Sequence, residues 1–447
     1  MPRSRFPHPL VLLTGCIFIA ALLSHILPAG QYDRRDDAAT GRKVVVAGSY
    51  HSVPQKPLSF FDAVLAIPKG MDDAASIIFL VLLVGGAFAV VDQTGALESG
   101  VGWLVSKLQS RELLVIPVVS LLFCTGGAVE NMGEEIIALV PVLLLLTRRL
   151  GFTPVTAIAM SVGSAAVGSA FSPINPFQVG IAQKLAGLPL LSGSGFRSVT
   201  LVLAMVIWIW GTMRYAARTR IATEVNVAVD GRTFELRTVL VLGGVIGAFA
   251  IFVYGVMRLG WDFDQMSALF FAMGIFAGLV GRLGVTGTAD AFVEGFRSMA
   301  YAAMMIGFAR GVYVALDNGQ IIDTIVHGLV TPLSSFPVAM SAMGMIALQA
   351  VVHVPVPSVS GQAVLTMPVL VPMSDLLGLS RQVTVLAYQV GAGLAELWTP
   401  TNGVLLAVCA AAKVRLEDWL KFVLPLYAIL VTLGAGAVLF GIAIGFR

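Results

Sequence analysis

Two apolar segments of this sequence are each interrupted by a proline and an asparagine. The first interruption reads SPIN (residues 172–175) and the second reads TPTN (residues 399–402). A proline removes a backbone donor and breaks a helix, and hydrocarbon cannot satisfy an asparagine amide. Freed N–H groups at a helix N-terminus suit a carboxylate, whereas freed carbonyls and an asparagine oxygen suit a small cation. The candidate binding residues in the motifs are Ser172, Pro173, Asn175, Thr399, Pro400, Thr401 and Asn402, with sodium as one cation that would lie near Asn175 and Asn402.

The two motifs belong to a longer internal repeat. Asn402 follows Asn175 by 227 residues, and Pro368 follows Pro141 by the same 227 residues. Interrupted apolar segments at matching positions of two halves are the best sequence indication of a transporter binding site. The alternative is a pair of proline kinks that only shape helix packing.

Each copy of the repeat also contains a polar stretch between two short apolar arms. These stretches read TGGAVENMGEE (125–135) and HVPVPSVSGQ (353–362), and their arms have about 11 to 16 residues. Such arms rise only ~17–24 Å at 1.5 Å per residue, which is less than the ~30 Å hydrocarbon core. We therefore expect re-entrant hairpins; two ordinary tilted helices are the alternative. The tips add the candidate binding residues Asn131, Ser358, Ser360 and Gly361.

Three glutamates near these features are candidates for ion coupling or charge compensation. Glu130 and Glu134 lie at the first tip, and Glu396 precedes the second motif by three residues. An ionisable residue inside a membrane is a functional candidate by default. These acids could bind a cation, carry a proton or hold the amino group of a substrate, but Glu134 and Glu135 would simply be solvated at a cytoplasmic surface.

Two further charged residues have open interpretations. Arg310, in MMIGFARGVY, could pair with a membrane acid, attract a substrate carboxylate or extend outward to the interface. Asp317 is followed by Asn-Gly, which favours a capping role at a helix end.

The composition indicates an all-α polytopic membrane protein. Hydrophobic residues make up 57% of the 447 residues and charged residues only 12%, compared with about 25% charged residues in soluble domains. The first apolar segment, Leu10–Pro28, lacks a small-residue cleavage site and is interpreted as an anchor. A net charge of +3 does not favour a nucleic-acid partner, and three dispersed cysteines give neither a disulfide framework nor a metal site.

The placement of Lys and Arg predicts the topology. With Arg3 and Arg5 on the cytoplasmic side, most basic residues gather in inside loops, giving nine crossings, two hairpins and an inverted pair of repeats. The predicted division is an N-terminal helix and extracytoplasmic loop (1–57), repeat 1 (58–216, with hairpin 112–149 and broken helix 153–185), a cytoplasmic loop and connecting helices (217–284), repeat 2 (285–423, with hairpin 337–378 and broken helix 381–412) and a C-terminal transmembrane segment (424–447).

Three stretches of the sequence resemble the C4-dicarboxylate anaerobic carrier family, in its YfcC-like branch, within the ion-transporter superfamily. They read NPFQVGIAQKLAGLPLLSG (175–193), PSVSGQAVLTMPVLVPMSDLLG (357–378) and TPTNGVLLAV (399–408). The resemblance implies a secondary transporter with inverted repeats, two hairpins, two broken helices, a dimeric assembly and an elevator-like transport domain. Family members carry dicarboxylates or amino acids such as arginine and ornithine, so the resemblance does not give the substrate. The tips read ENMGEE and PSVSGQ here, unlike the Ser-Asn-Thr signatures of sodium–dicarboxylate relatives.

The sequence thus predicts an ion-coupled secondary active transporter that works by alternating access. The expected substrate is a small carboxylate-bearing metabolite, with an amino acid favoured, and the coupling ion is sodium or a proton. The alternatives are a C4-dicarboxylate carrier or exchanger and an ion channel. No HExxH, GxSxG or Walker A motif is found, so neither an enzyme nor an ATP-driven pump is expected, and no cofactor. A homodimer in the bacterial cytoplasmic (inner) membrane is expected.

Overall fold

The chain folds almost entirely into helices. The computed structural model describes residues 8–37, 42–97, 99–100, 112–221, 235–259, 261 and 263–446; Arg3, Arg5 and residues 222–234 of the predicted cytoplasmic loop lie outside this part of the chain. Other apolar helices, such as Leu236–Phe252, are too short to be counted as certain membrane spans by length alone. The number of crossings, nine, therefore stays a prediction. Seven described helices are long and apolar enough to cross a membrane, as a multi-pass membrane protein requires: Pro9–Ile26, Ala75–Gln93, Glu112–Val129, Ser194–Arg218, Phe263–Val280, Gly284–Asn318 and Leu416–Ala443.

Among the described residues, the first half of the chain contains eight helices, a short 3-10 turn at Glu112–Leu114 and four short strands. The strands pair as two antiparallel ribbons, β1 with β4 and β2 with β3. These strands are a departure from the all-α prediction. They could not be predicted because the polar stretch that contains them has no clear alternation of apolar residues. In order, the elements are α1 (Pro9–Ile26), β1 (Gly30–Gln31), β2 (Arg34–Asp37), β3 (Arg42–Val45), β4 (His51–Ser52), α2 (Phe60–Asp73), α3 (Ala75–Gln93), α4 (Val115–Glu130), α5 (Glu134–Arg149), α6 (Pro154–Ala170), α7 (Pro176–Gly180 and Ile181–Leu185) and α8 (Ser194–Arg218).

The second half of the chain begins with the two helices interpreted above as connecting helices. The longest described helix, Gly284–Asn318, has 35 residues and takes the place in the predicted repeat that Phe60–Asp73 and Ala75–Gln93 take in the first half. In order, the elements are α9 (Leu236–Leu259), α10 (Phe263–Val280), α11 (Gly284–Asn318), α12 (Ile322–Val330), α13 (Val338–Val352), α14 (Val359–Leu376), α15 (Arg381–Tyr388 and Gln389–Gly393), α16 (Gly403–Ala411) and α17 (Leu416–Ala443).

The helices pack in two groups. Helix α11 packs against α1, α2 and α3, and α3 also packs against α10. In the second group, both arms of the first hairpin (α4 and α5) pack against α6, and both arms of the second (α13 and α14) pack against α15. Contacts of α16 with α11 and of α5 with α3 join the two groups. Each broken helix is therefore held by its own hairpin.

A glycine seam joins α4 to α6. A Cβ atom on Gly127 would lie 2.1 Å from the carbonyl oxygen of Ala165, and one on Gly168 would lie 2.3 Å from that of Cys124. These distances leave no room for a side chain, so the two helix backbones approach closely, as small residues allow in membranes. The close approach brings the end of α4 next to the SPIN motif.

The segment of short strands (residues 30–52, the strand segment) is attached to α12. Asp323 accepts a hydrogen bond from the backbone N–H of Tyr32 at 2.9 Å and an ion-pair bond from Arg34 at 2.8 Å. The Tyr32 hydroxyl lies 3.1 Å from Nδ1 of His327, and the ring of Tyr50 stacks on the same histidine at 4.0 Å. These contacts hold the strand segment over the end of α11.

The attachment predicts a pH dependence. Burial raises the pKa of Tyr32 to about 12, with smaller contributions from the charges of Asp323 and Tyr50. The folded state therefore holds the phenolic proton more tightly than the unfolded chain does. The resulting stability is complete below about pH 10 and is lost as the pH rises through the folded pKa. We expect the tyrosinate absorbance of wild type minus Tyr32→Phe to develop near pH 12. A difference that develops at pH 10 would contradict the attachment.

Candidate functional site

The first break separates α6 from α7. Helix α6 ends at Ala170 and α7 begins at Pro176, directly after Asn175. The side-chain oxygen of Asn175 accepts hydrogen bonds from the backbone N–H groups of Phe177 and Gln178, both at 2.9 Å. Asparagine is among the preferred N-cap residues, and proline is preferred at the next position. The SPIN motif therefore ends one helix and caps the next.

The first break is bonded to the tip of the first hairpin. Asn175 Nδ2 donates to the carbonyl of Gly127 at 2.7 Å, and the Ser172 hydroxyl donates to the carbonyl of Ala128 at 2.7 Å. Both donors are fully buried. Asn131 ends α4 in the left-handed conformation, with a φ of 57°, which asparagine tolerates better than most residues.

Ser169, one turn before the break, connects these side chains. Its hydroxyl bonds to the side chain of Asn131, lies 2.8 Å from Oε1 of Gln178 and is 3.4 Å from Nδ2 of Asn175. The predicted residues Asn131, Ser172 and Asn175 thus meet in one buried polar cluster. Sequence reasoning missed Ser169 and Gln178 because both lie inside otherwise regular apolar runs.

The second break is longer than the first. Helix α15 ends at Gly393, seven residues before Pro400, and α16 begins at Gly403. The sequence predicts the break at TPTN, but the helix ends earlier, after the π-helical turn Gln389–Gly393. Glycines in a helix interior cost more backbone entropy than alanine, and Gly391 is required because a Cβ there would lie 2.4 Å from a backbone oxygen of α13.

The second break is bonded to the second tip. The Thr401 hydroxyl donates to the carbonyl of Val354 at 2.6 Å. Asn402 caps α16, accepting from the N–H of Leu405 at 3.1 Å, and its Nδ2 donates to the carbonyl of Glu396 at 3.3 Å. The two asparagines of the repeat therefore have equivalent capping roles.

The remaining motif residues also lie in the breaks. The Thr399 hydroxyl donates to the carbonyl of Ala395 at 2.7 Å, within its own segment. Pro173 and Pro400 lie between the helices, where no intrahelical donor is needed.

The two breaks contact each other through a pair of glutamines. Gln178 Nε2 donates to the backbone carbonyl of Gln389 at 3.2 Å, and Gln389 Nε2 donates to the carbonyl of Ser172 at 2.9 Å. A Cβ atom on Gly393 would lie 2.6 Å from the Cα atom of Ala170, so the helix ends nearly touch. Residues from both halves of the chain thus form one site.

Two of the predicted glutamates belong to elements that pack together. Glu134 is the first residue of α5, Glu396 lies in the second break, and α5 packs against α16, the helix that follows this break. The side chain of Glu130 lies outside the described residues. Glu135 instead accepts a bond from the N–H of Gly133 at 3.0 Å.

A cavity of about 380 Å³ lies between the strand segment, α11 and the second tip. Of the predicted binding residues, Ser358 and Gly361 line it, and Ser360 lies between them in the chain. The Ser358 hydroxyl accepts from the N–H of Gly361 at 3.3 Å and caps α14. Arg310 also lines the cavity; it is paired with Asp73. The SPIN and TPTN residues are not among its lining residues.

Arg197 is a buried cation that sequence reasoning missed. It lies in the first turns of α8 and is fully buried. Its Nε donates to Gln389 Oε1 at 2.6 Å, one Nη to Gln382 Oε1 at 3.0 Å and the other to the carbonyl of Ser192 at 2.9 Å. The available signal is an arginine at the edge of the apolar run GFRSVTLVLA. By fixing Gln389, Arg197 helps to hold the second broken helix against the first.

Replacement of Arg197 by lysine is expected to destabilise the fold. Lysine keeps the charge but not the planar fork that reaches three acceptors, and each lost hydrogen bond from a charged group costs about 1.5–3 kcal/mol. We expect the free energy of unfolding in detergent to fall by at least about 2 kcal/mol. Arg214→Lys is the matched control on the same helix, because Arg214 only lies over the ring of Trp210. Equal stability of the two variants would contradict the role given to Arg197.

The chain is similar to a protein family model, to individual proteins of known sequence and, more distantly, to solved structures. Residues 6–443 match the family model described as DcuC, C4-dicarboxylate anaerobic carrier. The chain is 33% identical to the Escherichia coli protein named "Putative basic amino acid antiporter YfcC", over 94% of this chain and 93% of that protein. It is 29% identical to an uncharacterized protein of Haemophilus influenzae, over 88% of this chain and 81% of that protein.

Two solved transporter structures are more distant. The YdaH transporter of Alcanivorax borkumensis is 17% identical with a TM-score of 0.46, over 98% of this chain and 99% of that one. MtrF of Neisseria gonorrhoeae is 18% identical with a TM-score of 0.40, over 97% and 95%.

Proposed function

Since this chain belongs to the C4-dicarboxylate anaerobic carrier family, in its YfcC-like branch, we propose that it is an ion-coupled secondary active transporter of a small carboxylate-bearing metabolite. The observation that carries the proposal is the pair of helix breaks, each capped by an asparagine and each bonded to a hairpin tip. Non-helical backbone at membrane depth is tolerated where it is buried in protein or lines a cavity. The named relatives of this chain are transporters, and transporters are not enzymes.

An amino acid is the favoured substrate. The two acidic residues beside the second break, Glu134 and Glu396, would repel a dianion more than an amino acid. The E. coli relative carries a basic amino acid antiporter in its name, which supports the same class. A C4-dicarboxylate carrier or exchanger is the second candidate, supported by the description of the family model.

The coupling ion is proposed to bind between the start of α5, which carries Glu134, and the second break, which carries Glu396 and Asn402. Two neighbouring carboxylates favour a cation or a shared proton between them. At the first break both acceptor positions of the Asn175 oxygen are taken by N–H groups. A sodium ion near Asn175 would therefore be held by main-chain carbonyls, which hard cations accept as ligands.

Transport is proposed to proceed by alternating access with elevator-like movement. The two packing groups support this idea, because the hairpins and broken helices form one group and α1, α2, α3, α10 and α11 form the other. The proposal includes inverted repeats, re-entrant hairpins, a cytoplasmic N-terminus, a homodimer and the bacterial cytoplasmic membrane as location.

The test is uptake into liposomes that contain the purified protein. Amino acids and dicarboxylates are each offered with a sodium gradient, with a proton gradient and with neither. We expect saturable uptake of an amino acid that exceeds equilibrium only with one ion gradient. Flux that does not saturate would instead indicate a channel, and gradient-driven uptake of dicarboxylates alone would favour the second candidate.

A further inference from the structure

The cavity between the strand segment and the second tip has walls from three parts of the fold. Strand β3 contributes Lys43, helix α11 contributes Asp317, and the start of α14 contributes Ser358. Its volume of about 380 Å³ is within the range of small-molecule sites, about 300–1,000 Å³. The cavity is therefore large enough to hold a metabolite with some water.

Two ion pairs at the cavity are already complete. Arg34 binds Asp323 at 2.8 Å, and the second oxygen of Asp323 accepts the N–H of Tyr32. Arg310 is paired with Asp73. These four groups hold the strand segment and the helices in place, and their charges compensate each other.

Lys43 and Asp317 are different, because neither forms an ion pair within 4 Å or a side-chain hydrogen bond with another described residue. The charges of Arg34 and Arg310 also reach Asp317, but these arginines are held by Asp323 and Asp73. Both line the cavity, one from the strand segment and the other from α11. Asp317 was expected to cap a helix end, but its side chain faces the cavity instead. The cavity thus offers one unpaired positive group and one unpaired negative group, each exposed to solvent.

We propose that this cavity binds an α-amino acid as its zwitterion, with the ammonium group at Asp317 and the carboxylate at Lys43. The inference rests on the proposed transport function and gives it a substrate site outside the helix breaks. A zwitterion satisfies both unpaired groups at once, whereas a dicarboxylate leaves Asp317 facing a like charge.

The site also gives the strand segment a function. Strand β3 packs against α14, and it supplies the carboxylate partner. A ligand held by both Lys43 and Asp317 would join the strand segment to α11.

The test measures ligand binding by the full-length protein in detergent, by calorimetry. The probes are the twenty common amino acids, succinate and malate, and for each amino acid that binds, its N-acetyl derivative and the corresponding decarboxylated amine. We expect at least one amino acid to bind, and both derivatives to bind at least about tenfold more weakly, the equivalent of one lost interaction of about 1.4 kcal/mol.

The variants are Asp317→Asn and Lys43→Gln. Asp317→Asn is expected to weaken the binding of the amino acid tenfold or more. The binding of the N-acetyl derivative should not change, because this derivative has no ammonium group to interact with Asp317. Lys43→Gln is expected to weaken the binding of the amino acid tenfold or more and to leave the binding of the decarboxylated amine unchanged, because the amine has no carboxylate. The matched controls are Asp290→Asn on the same helix and Lys56→Gln in the loop before α2, both exposed and not lining the cavity.

Two results would overturn the inference. One is the absence of any amino acid that binds the wild type; the other is amino-acid binding that Asp317→Asn leaves unchanged. The derivatives are also tested on the wild type. The comparison of the amino acid with its derivatives is therefore valid even if a variant fails to fold. Amino-acid binding with the expected losses, but without vesicle uptake of any compound, would refute the transport proposal alone. Gradient-driven uptake of an amino acid whose binding Asp317→Asn leaves unchanged would refute the cavity alone.

Discussion

Replacing Asn175 by alanine, or Asn402 by alanine, is expected to abolish transport while the protein still inserts into the membrane. Alanine at 175 removes the cap of α7, so the buried N–H of Gln178 loses its acceptor. It also removes one of the two hydrogen bonds to the carbonyl of Gly127, which still accepts from the N–H of Asn131. A lost cap costs about 0.5–2 kcal/mol, and an unsatisfied buried group costs about 1–3 kcal/mol. The effect is local, because helices such as α3 and α11 do not depend on either asparagine. Initial uptake into proteoliposomes is expected to fall below a hundredth of the wild-type rate, about 2.7 kcal/mol.

Two further variants show which bond matters. Asn175→Asp keeps the capping oxygen but cannot donate to Gly127, so it isolates the contact with the first tip. Ile174→Ala is the control in the same break, because the Ile174 side chain is 45% exposed and should matter little. Normal uptake by the Asn175→Ala or Asn402→Ala variant would contradict the proposal that the helix breaks are required for transport.

Glu396→Gln is expected to uncouple transport from the ion gradient while substrate binding continues. The substitution keeps the shape of the side chain but removes its carboxyl group, so that Glu134 is the one acidic residue left in the proposed ion site. The cation or proton that two carboxylates favour is then no longer required. Coupling free energies between ligands are typically 1–3 kcal/mol, about 5- to 150-fold, and we expect gradient-driven accumulation to fall by a factor in this range. Accumulation is measured as the internal-to-external substrate ratio at steady state.

Glu294→Gln is the control for this experiment. Glu294 lies on the surface of α11 and contacts Arg297 at 3.7 Å, and an exposed pair of this kind contributes little. It should accumulate substrate as the wild type does. If Glu396→Gln also accumulates substrate normally, the coupling ion binds elsewhere.

Much of the site could be predicted from the sequence because its chemistry is local. Proline and asparagine act on the backbone within a few residues, so SPIN and TPTN indicated two helix interruptions without any knowledge of packing. The family resemblance was also available from the motifs and is confirmed by the family model. The common spacing of the two motifs further indicated that the breaks are equivalent, and both asparagines cap the helix that follows.

The remaining parts of the site depend on contacts between residues far apart in the chain. Arg197 meets Gln389 across 192 residues, and Tyr32 meets Asp323 across 291. Neither pair has a periodic or spacing signal, since both depend on how helices pack. The early end of α15 has the same origin, because Gly391 packs directly against a backbone oxygen of α13.

The glycine seam between α4 and α6 has a practical consequence for spectroscopy. With backbone atoms this close and no room for a Cβ, the two helices cannot slide past each other without a clash. A pair of spin labels on the outer faces of these helices should therefore report the same separation in every state of the cycle. Such a pair serves as an internal ruler, against which any label pair that changes its separation identifies the moving parts of the protein.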